Sequence, residues 1–395
     1  MTTAILTLNA GSSSLKFALY PLVGDEPLAF GIADKIGDNG SIKVHRGDGR
    51  AMPAAEKPDV SSHVAALQSV LRTLAQGFGQ LDVDAVGHRI VHGGPDHAAP
   101  LILDEEKLAE LERFNPFAPL HQPHNLAGVR AAMTAFPSAR QVACFDTAFH
   151  RSHDFVNDVF ALPRRYYEAG VRRYGFHGLS YEYVAGELRR VAPALAEGRV
   201  IVAHLGNGAS LCAIQNGSSV ASTMGFSPLD GLPMGTRCGQ LDPGVVLFLM
   251  DQERMSAADI ADLLYRQSGL LGLSSVSNDM RTLEASSAPE AGQAIDYFIS
   301  RIQREIGAMA AALGGIDALV FCGGIGENSV MIRRRVCERM AWIGVEVDPA
   351  RNTAGDAVVS SDRSRVQVMV VRTNEEAVIV RSVRALALQN AQGTA

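Results

Sequence analysis

The sequence contains few cysteines and no arrangement of them that suggests a cross-link or a metal site. The five are Cys144, Cys212, Cys238, Cys322 and Cys337, and no two of them form a C-x-x-C pair. An odd, scattered set provides neither a disulfide framework nor a zinc site. We therefore expect a reducing, cytoplasmic environment.

An excess of positive charge is also missing. The chain has 36 basic and 42 acidic side chains and a formal net charge of −6. Proteins that bind nucleic acids attract phosphates with clustered basic residues. The composition therefore gives no support to a nucleic-acid partner.

Long apolar runs are absent. The longest segment without a charged residue, 200–229, is interrupted by Gly, Asn, Ser and Gln, whereas a membrane-spanning helix needs about 20 mostly apolar residues. The first residues lack the basic flank, apolar centre and small-residue cleavage site of a signal peptide. We expect neither a membrane partner nor a signal peptide.

The length and an internal repeat indicate how the chain is organised. A chain of 395 residues exceeds what one hydrophobic core usually supports. A strand at 4–8, a loop of small residues and a strand at 15–20 open the chain, and the layout returns at 199–204 with the loop "LGNGAS". This repeat favours α/β architecture with a duplicated domain, each copy presenting a loop to a shared cleft.

Apolar periodicity predicts further strands and helices along the chain. The strands are expected at 85–91, 141–145, 318–321 and 366–371, and the helices at 60–78, 101–114, 124–135, 256–265, 291–313, 329–340 and 377–388.

The first loop, in "NAGSSSLKFALY", permits two interpretations. Gly and Ser are ordinary turn residues, so the segment is typical of a hairpin. Small residues also let backbone N–H groups, hydroxyls and a lysine approach an anion, as in a phosphate cradle. The segment does not match G-x-x-x-x-G-K-[ST], so the usual phosphate-loop inference does not apply.

Two arginines lie where a charge needs a partner. Arg89 ends a buried strand, and an unpaired buried charge is very costly, so it is either ion-paired or faces a cleft. Arg237 lies among glycines and small residues, where its planar group suits an oxyanion. A salt bridge from Arg237 to Asp242 is the alternative.

The histidines are individually ambiguous. Alternate residues of a strand point to opposite faces, so His88, His92 and His97 do not indicate zinc. His177 and His204 lie beside glycines, where a ligand can approach the backbone, although a single histidine is usually structural.

Several polar residues can either cap a helix or bind a ligand. Asp146 ends a strand of the expected α/β sheet, where it can hold Mg²⁺ or cap the next segment. Thr373 and Glu376 match a capping box, which leaves Glu375 available for another role. In "SNDMR" and "CGGIGENS", helix capping competes with contact to a nucleotide.

The motifs together, and in this order, resemble the acetate kinase family. They are "NAGSSSLK", "GHRIVHGG", "APLHQPHN", "FDTAFH", "YGFHGLS", "HLGNGAS", "MGTRCGQLDP", "CGGIGENS" and "TNEE". The resemblance covers residues 4–388. It implies duplicated ribonuclease-H-like, actin-like ATPase domains with an interdomain cleft, and divides the chain into 1–147 plus 378–395 and 148–377.

The resemblance also implies roles for particular residues. For catalysis these are Arg89, Asp146, His177 and Arg237, of which the two arginines also hold acetate and the phosphoryl group. The wall of the acetate pocket would be Val91, Leu120 and Pro228. For ATP or ADP they are Asn9, Ser12, Ser14, Lys16, His204, Gly206, Asn207, Gly208, Asp279, Met280, Arg281, Gly324, Ile325, Gly326 and Asn328. Mg²⁺, or Mn²⁺, would be held by Asn9, Asp146 and Glu375.

The implied activity is reversible transfer of the ATP γ-phosphoryl group to acetate, giving acetyl phosphate, in a homodimer. A kinase for propionate or another short-chain acid is the alternative, because one methylene changes binding by only about 1–3 kcal/mol. A nucleotide-driven switch of the actin or chaperone type is a second alternative. Leu179, Tyr181, Pro95 and Gln240 depart from the family pattern beside the catalytic loops.

Overall fold

The computed structural model divides the chain into two compact units. It describes residues 2–11, 13–38, 40–53, 58–79, 81–119 and 121–392. The first unit is Met1–Ala148 with Asn374–Ala395, and the second is Phe149–Thr373. Ser12 and Leu120, both expected site residues, lie outside the described residues.

The strands of the described chain belong to two sheets, one in each unit. In chain order they are β1 (Thr2–Ala10), β2 (Ser14–Pro21), β3 (Ala29–Asp34), β4 (Ser41–Arg46), β5 (Ala51–Met52), β6 (Leu81–Ile90), β7 (Leu101–Ile102), β8 (Arg140–Phe145), β9 (Arg199–Leu205), β10 (Ala209–Gln215), β11 (Ser218–Ser222), β12 (Ala318–Cys322) and β13 (Gln367–Val370).

Helices surround these sheets. They are α1 (His63–Phe78), α2 (Glu105–Glu112), α3 (Gln122–Ala135), α4 (Phe155–Asp158), α5 (Arg164–Glu168), α6 (Gly178–Val191), α7 (Pro193–Ala196), α8 (Pro243–Asp251), α9 (Ala257–Arg266), α10 (Gly269–Ser274), α11 (Met280–Ala285), α12 (Pro289–Leu313), α13 (Gly323–Asn328), α14 (Val330–Cys337), α15 (Pro349–Ala354) and α16 (Glu375–Gln392). Short 3₁₀ helices occur at Asn115–Phe117, Ala148–His150 and Ala341–Ile343.

The two sheets share one topology. In the first unit the described strands have the order β5-β4-β3-β2-β1-β6-β8-β7, and in the second β11-β10-β9-β12-β13. In both, an antiparallel hairpin is followed by two parallel strands: β6 beside β1 and β8, and β12 beside β9 and β13. The α/β fold is therefore a duplicated domain, as the repeat predicts, and its strand order is that of the ribonuclease-H-like domains that the resemblance implies.

This topology positions the functional side chains. Parallel strands have their carboxyl ends at the same edge of a sheet, where open α/β folds bind ligands. Asn9, Arg89 and Asp146 lie at that edge of the first sheet, at or just after the ends of β1, β6 and β8. The loop 206–208 and α13 follow β9 and β12 at the equivalent edge of the second.

The sequence prediction differs from the structure in helix ends and in missing helices, since α4–α8, α10 and α15 have no counterpart in it. The predicted helix 101–114 is too long, because 101 and 102 pair with β8 and the Asp104 side chain accepts from Lys107 N to start α2. The helix predicted at 60–78 begins only after Ser62, whose hydroxyl accepts from Ala65 N. The strand β3 has no counterpart in the prediction.

The predicted capping box at Thr373 is wrong. The last helix begins at Glu375, and the side chain of Asn374 accepts from Ala377 N at 3.0 Å. Thr373 instead contacts the hydroxyl of Ser180 at 2.6 Å. Glu375 and Glu376 are both in the first turn of α16, where their charge suits the helix dipole.

One helix of the second unit is apolar but has no buried residue. The segment α8 reads PGVVLFLMD, and Leu247 and Phe248 are 66% and 51% exposed. Across the described residues, no helix is both long and apolar enough to span a bilayer.

Candidate active site

A charged cluster lies at the edge of the first sheet. Arg89 Nε donates to Asp146 Oδ1 at 3.0 Å, and Nη2 contacts Oδ2 of the same carboxylate. Nη1 donates to the amide oxygen of Asn9 at 3.1 Å, and Nε lies 3.8 Å from a Glu375 oxygen. The cluster brings together the expected substrate arginine and the expected metal-binding residues.

Burial makes the charges of this cluster dependent on one another. The side chains of Arg89 and Asp146 are 21% and 1% exposed. Burial raises the pKa of Asp146 to about 6, Glu375 adds to the rise, and Arg89 opposes it. The ion-pair interpretation of Arg89 is therefore correct in this structure, and Asp146 is the partner.

Sequence analysis missed the residue that holds these strand ends together. Asn125, on α3, accepts from Val91 N at 2.9 Å and donates to the carbonyl oxygen of Ala10 at 2.5 Å. It thereby fixes the ends of β6 and β1, which carry Arg89 and Asn9. Its position in the motif "APLHQPHN" was the available signal.

The first loop forms a tight turn. The N–H of Gly11 donates to the carbonyl oxygen of Ser14 at 2.8 Å, and a Cβ on Gly11 would lie 2.9 Å from Ser14 Oγ. The hairpin interpretation is correct for the described part of this segment.

Lys16 lies on β2 directly opposite Asn9. Directly opposed residues share a face of the sheet. Lys16 also lines a cavity of about 440 Å³ with Tyr20, Lys43 and Glu376. The lysine is therefore on the strand beside the cluster rather than in the loop.

In the second unit, two histidines stack beside Arg237. The rings of His177 and His204 are 4.3 Å apart and 22° from parallel. A Cβ on Gly208 would lie 3.2 Å from His177 Nε2 and 3.9 Å from Arg237 Nη1. The absence of a side chain at Gly208 therefore keeps open a space that His177 Nε2 and Arg237 Nη1 both face.

Hydrogen bonds orient these side chains. His177 Nδ1 lies 2.8 Å from the hydroxyl of Ser210, and His204 Nδ1 lies 2.9 Å from that of Ser180. Arg237 Nη1 donates to the carbonyl oxygen of Pro228 at 3.1 Å, which brings the expected anion-binding and pocket-wall residues together. Asp242, the alternative partner of Arg237, caps α8 by accepting from Gly244 N at 2.7 Å.

A cavity of about 810 Å³ adjoins this loop and collects most of the expected nucleotide-binding residues. Its lining is Gly206, Asn207, Asn278, Asp279, Met280, Arg281, Glu284, Gly324, Ile325, Asn328 and Ser329. Asn278, Glu284 and Ser329 were not predicted. Gly326 is buried within α13 and packs near Phe321.

Two residues that line this cavity, Asp279 and Ser329, also cap helices. Asp279 caps α11 by accepting from Arg281 N, and the two side chains form an ion pair at 2.6 Å. Ser329 caps α14 by accepting from Ile332 N. The glycine-rich segment "GGIGEN" is helical, with its N-terminal glycine at φ 75°, a conformation that favours glycine.

Carboxylates, histidines and cysteines are the side chains that could hold a metal ion in the residues that the structure describes. No group of three or more His, Cys, Asp or Glu side chains there has the spacing to hold a metal ion by itself. Oxygen atoms of Asp146, Glu375 and Asn9 do lie together around Arg89.

Comparison with known proteins decides the family. Residues 4–381 match the model of the acetokinase family. The chain is 57% identical to an acetate kinase of Methylocella silvestris over 397 residues, which covers 98% of each chain. The chain belongs to the acetokinase family.

Two solved structures are similar over nearly the whole chain. An acetate kinase of Porphyromonas gingivalis has a TM-score of 0.88 and 38% identity, covering 98% of this chain and 100% of its own. A propionate kinase of Francisella tularensis has a TM-score of 0.90 and 33% identity, covering 96% and 98%.

The structure gives contacts or burial for three of the residues that the sequence analysis expects to depart from the family pattern. Tyr181 is fully buried and contacts Ser210. Gln240 accepts a hydrogen bond from Arg301, a buried arginine of α12. Leu179 is buried in the first turn of α6. These residues support the loops around His177 and Arg237.

Proposed function

We propose that the chain is an acetate kinase that transfers the γ-phosphoryl group of ATP directly to acetate, reversibly, forming acetyl phosphate and ADP. One observation carries this proposal. His177 Nε2 and Arg237 face the space at Gly208, which directly follows Gly206 and Asn207 of the 810 Å³ cavity. The second unit thus has phosphoryl-binding groups at the end of a nucleotide-sized cavity.

The residues suit a reaction between two anions. Acetate is ionised at neutral pH, since carboxyl groups have pKa values near roughly 4–5, so no general base is needed. The barrier lies in bringing a carboxylate to a charged phosphate. Arg89, Arg237 and His177 supply positive charge and N–H donors for this purpose.

We propose that Mg²⁺ or Mn²⁺ binds the carboxylates of Asp146 and Glu375, with Asn9 as a further oxygen donor. Mg²⁺ is usually held by one or two carboxylates together with substrate phosphates, so a complete protein cage is not required. The ion neutralises phosphate charge when bound. Arg89, which contacts the same carboxylate, keeps Asp146 in position.

The acyl preference depends on a small apolar wall. We propose that Val91, Leu120 and Pro228 contact the methyl group of acetate. Propionate is the second candidate substrate, because the chain is similar to both an acetate kinase and a propionate kinase. One methylene changes binding by only about 1–3 kcal/mol.

We propose that two copies of the chain associate through α8. Four apolar residues of this helix, Val245, Leu247, Phe248 and Met250, are exposed together, and large exposed apolar patches mark contact sites. Replacing Leu247 and Phe248 by Glu should halve the mass measured by sedimentation, whereas Val191→Glu, on exposed α6 surface, should not. A monomeric wild type would contradict this.

We also propose that the protein is cytoplasmic. None of the five cysteines forms a disulfide bond, which suits the reducing cytoplasm. The domain boundaries at 147/148 and 377/378 stay predictions from the sequence.

Trapping of acyl phosphate with hydroxylamine tests the activity. Wild type with ATP and Mg²⁺ should form hydroxamate from acetate, with propionate and butyrate as comparisons. Arg89→Ala and Arg237→Ala should lose about 10³-fold or more of the rate. Arg164→Ala, in an exposed ion pair with Glu168, is the control.

The assay also separates the alternatives. A preference for propionate over acetate would support the second candidate. ATP hydrolysis without acyl phosphate from any acid would overturn the proposal and favour a nucleotide-driven switch.

A further inference from the structure

A buried hydrogen-bond chain leads to the ring of His177. The hydroxyl of Tyr181 lies 2.5 Å from Ser210 Oγ, and Ser210 Oγ lies 2.8 Å from His177 Nδ1. Tyr181 and Ser210 are both 0% exposed. His177 and Tyr181 are four residues apart, and Tyr181 N donates to the His177 carbonyl at 3.1 Å, so both side chains reach Ser210 from the start of α6.

The number of protons available shows which group donates in each of these hydrogen bonds. A phenol has one proton to donate, and among the described residues Ser210 Oγ is the hydrogen-bond partner of the Tyr181 hydroxyl. A buried donor left without an acceptor is costly. Tyr181 therefore donates to Ser210, and the single proton of Ser210 is directed to His177 Nδ1.

The direction determines the form of the imidazole. A ring nitrogen that accepts a hydrogen bond carries no proton, so the proton of neutral His177 is on Nε2. Nε2 is the nitrogen that faces the space at Gly208, near Arg237. Burial raises the pKa of Tyr181 well above 10, so the phenol keeps its proton at neutral pH.

We propose that Tyr181 is a positioning residue that acts through Ser210 to hold His177 as the neutral Nε2–H tautomer. His177 then donates a hydrogen bond from Nε2 and does not act as a base there. Its donation to the transferring phosphoryl group rests on the proposed function, whereas the tautomer does not.

Two-bond ¹H–¹⁵N correlation spectra of the full chain distinguish the tautomers. The chain has 11 histidines, so the His177 signal is assigned by its loss in His177→Gln. At pH 7 we expect the Nε2–H pattern in wild type. In Tyr181→Phe, Ser210 becomes able to accept as well as donate, and the Nδ1–H form should appear.

A matched variant separates this effect from general loss of a buried hydroxyl. Tyr174 is also fully buried, and its hydroxyl donates to the Gly170 carbonyl at 2.7 Å. Tyr174→Phe should keep the wild-type tautomer. Ser210→Ala, which removes the donor itself, should change the His177 signal as Tyr181→Phe does.

Activity gives an independent second result. Mutation of the residues that orient metal-bound histidines typically costs about 10–100-fold in activity, and by the same positioning effect kcat for acetyl phosphate formation should fall about tenfold in Tyr181→Phe. An Nδ1–H or doubly protonated ring in wild type, or an unchanged tautomer in Tyr181→Phe, would overturn the proposal. An Nε2–H ring in a chain that makes no acyl phosphate would overturn only the proposed function.

Discussion

Arg89 and Asp146 form a two-point ion pair at the edge of the first sheet, with Arg89 Nε 3.0 Å from Asp146 Oδ1 and Nη2 against Oδ2. Because the carboxylate is 1% exposed, water cannot replace the guanidinium. Removing one partner of the pair therefore leaves the other as an uncompensated buried charge.

Removing Arg89 should destabilise the protein through Asp146. Arg89→Ala leaves a buried charge unpaired, which typically costs about 3–5 kcal/mol. Arg89→Ala with Asp146→Asn should recover most of that loss and no activity. Urea unfolding followed by circular dichroism measures both.

The control for this prediction is Arg50→Ala, because Arg50 and Asp48 form an ion pair with 78% and 46% exposed side chains. Exposed pairs contribute little, so its unfolding midpoint should barely change. A double variant as unstable as Arg89→Ala would contradict the prediction.

The rate should fall as the pH drops through about 6. Burial raises the pKa of Asp146 to about 6, with Glu375 adding to the rise, and only the carboxylate form suits the metal. Glu375→Gln should move the acid limb of kcat/KM, which reports groups of the free enzyme, to lower pH. An acid limb that stays in place or moves upward in this variant would refute the assignment.

The raised pKa of Asp146 makes stability fall with rising pH, whereas it makes the rate increase with rising pH. A carboxyl group with a raised pKa binds its proton more tightly in the folded state. The stabilisation from Asp146 is complete below its ordinary pKa and is lost as the pH rises through about 6. Stability and activity thus depend on different protonation states of this residue.

A leucine at position 324 should block nucleotide binding without harming the fold. Gly324 lines the 810 Å³ cavity, and a Cβ there would meet nothing within 4 Å. Gly324→Leu should raise the KM for ATP at least about tenfold, since a change of 1.4 kcal/mol suffices. Helix propensity should keep the melting temperature unchanged or slightly higher.

Gly292→Leu is the matched control, because Gly292 is on α12 and also has nothing within 4 Å of a Cβ. It should leave the KM for ATP unchanged. Equal KM values for ATP in wild type and Gly324→Leu would show that the cavity does not hold the nucleotide.

The second unit should lose stability in mild acid. His150 is 0% exposed, and burial lowers its pKa from 6.5 to about 4. The unfolded chain therefore binds a proton that the folded chain does not, and stability falls as the pH drops from 6.5 towards 4. The loss from His150 at pH 5 should be about 2 kcal/mol relative to pH 7.5.

Urea unfolding at the two pH values checks this dependence. His150→Gln should be less stable at pH 7.5, because contacts to Ser219 and the Phe176 carbonyl are disturbed, but should lose less on acidification. His45→Gln, on β4, is the control. The same pH dependence in His150→Gln as in wild type would disprove the assignment.

Local sequence patterns predicted the central strands of both sheets and most of the longer helices, but not α6 or the short helices near it. Apolar spacing of three and four residues identified α12, and the strand-loop-strand repeat identified both hairpins. Helix starts were less accurate, because caps such as Ser62, Asp104 and Asn374 depend on one hydrogen bond to a nearby N–H. The choice of Asn374 over Thr373 followed from the contact of Thr373 with Ser180, which is 193 residues away.

The sequence by itself determined the composition of the site: an arginine at the end of a buried strand, a second arginine among small residues, a carboxylate after a strand, and two glycine-containing loops in repeated positions. These features follow from residue type and short spacing. Only the tertiary structure decided that Asp146 neutralises Arg89, that Lys16 stands beside Asn9, and that Tyr181 acts on His177 through Ser210. Arg89 and Asp146 are 57 residues apart, and Tyr181 and Ser210 are 29 residues apart. They meet because strand register and parallel crossover connections bring distant segments together.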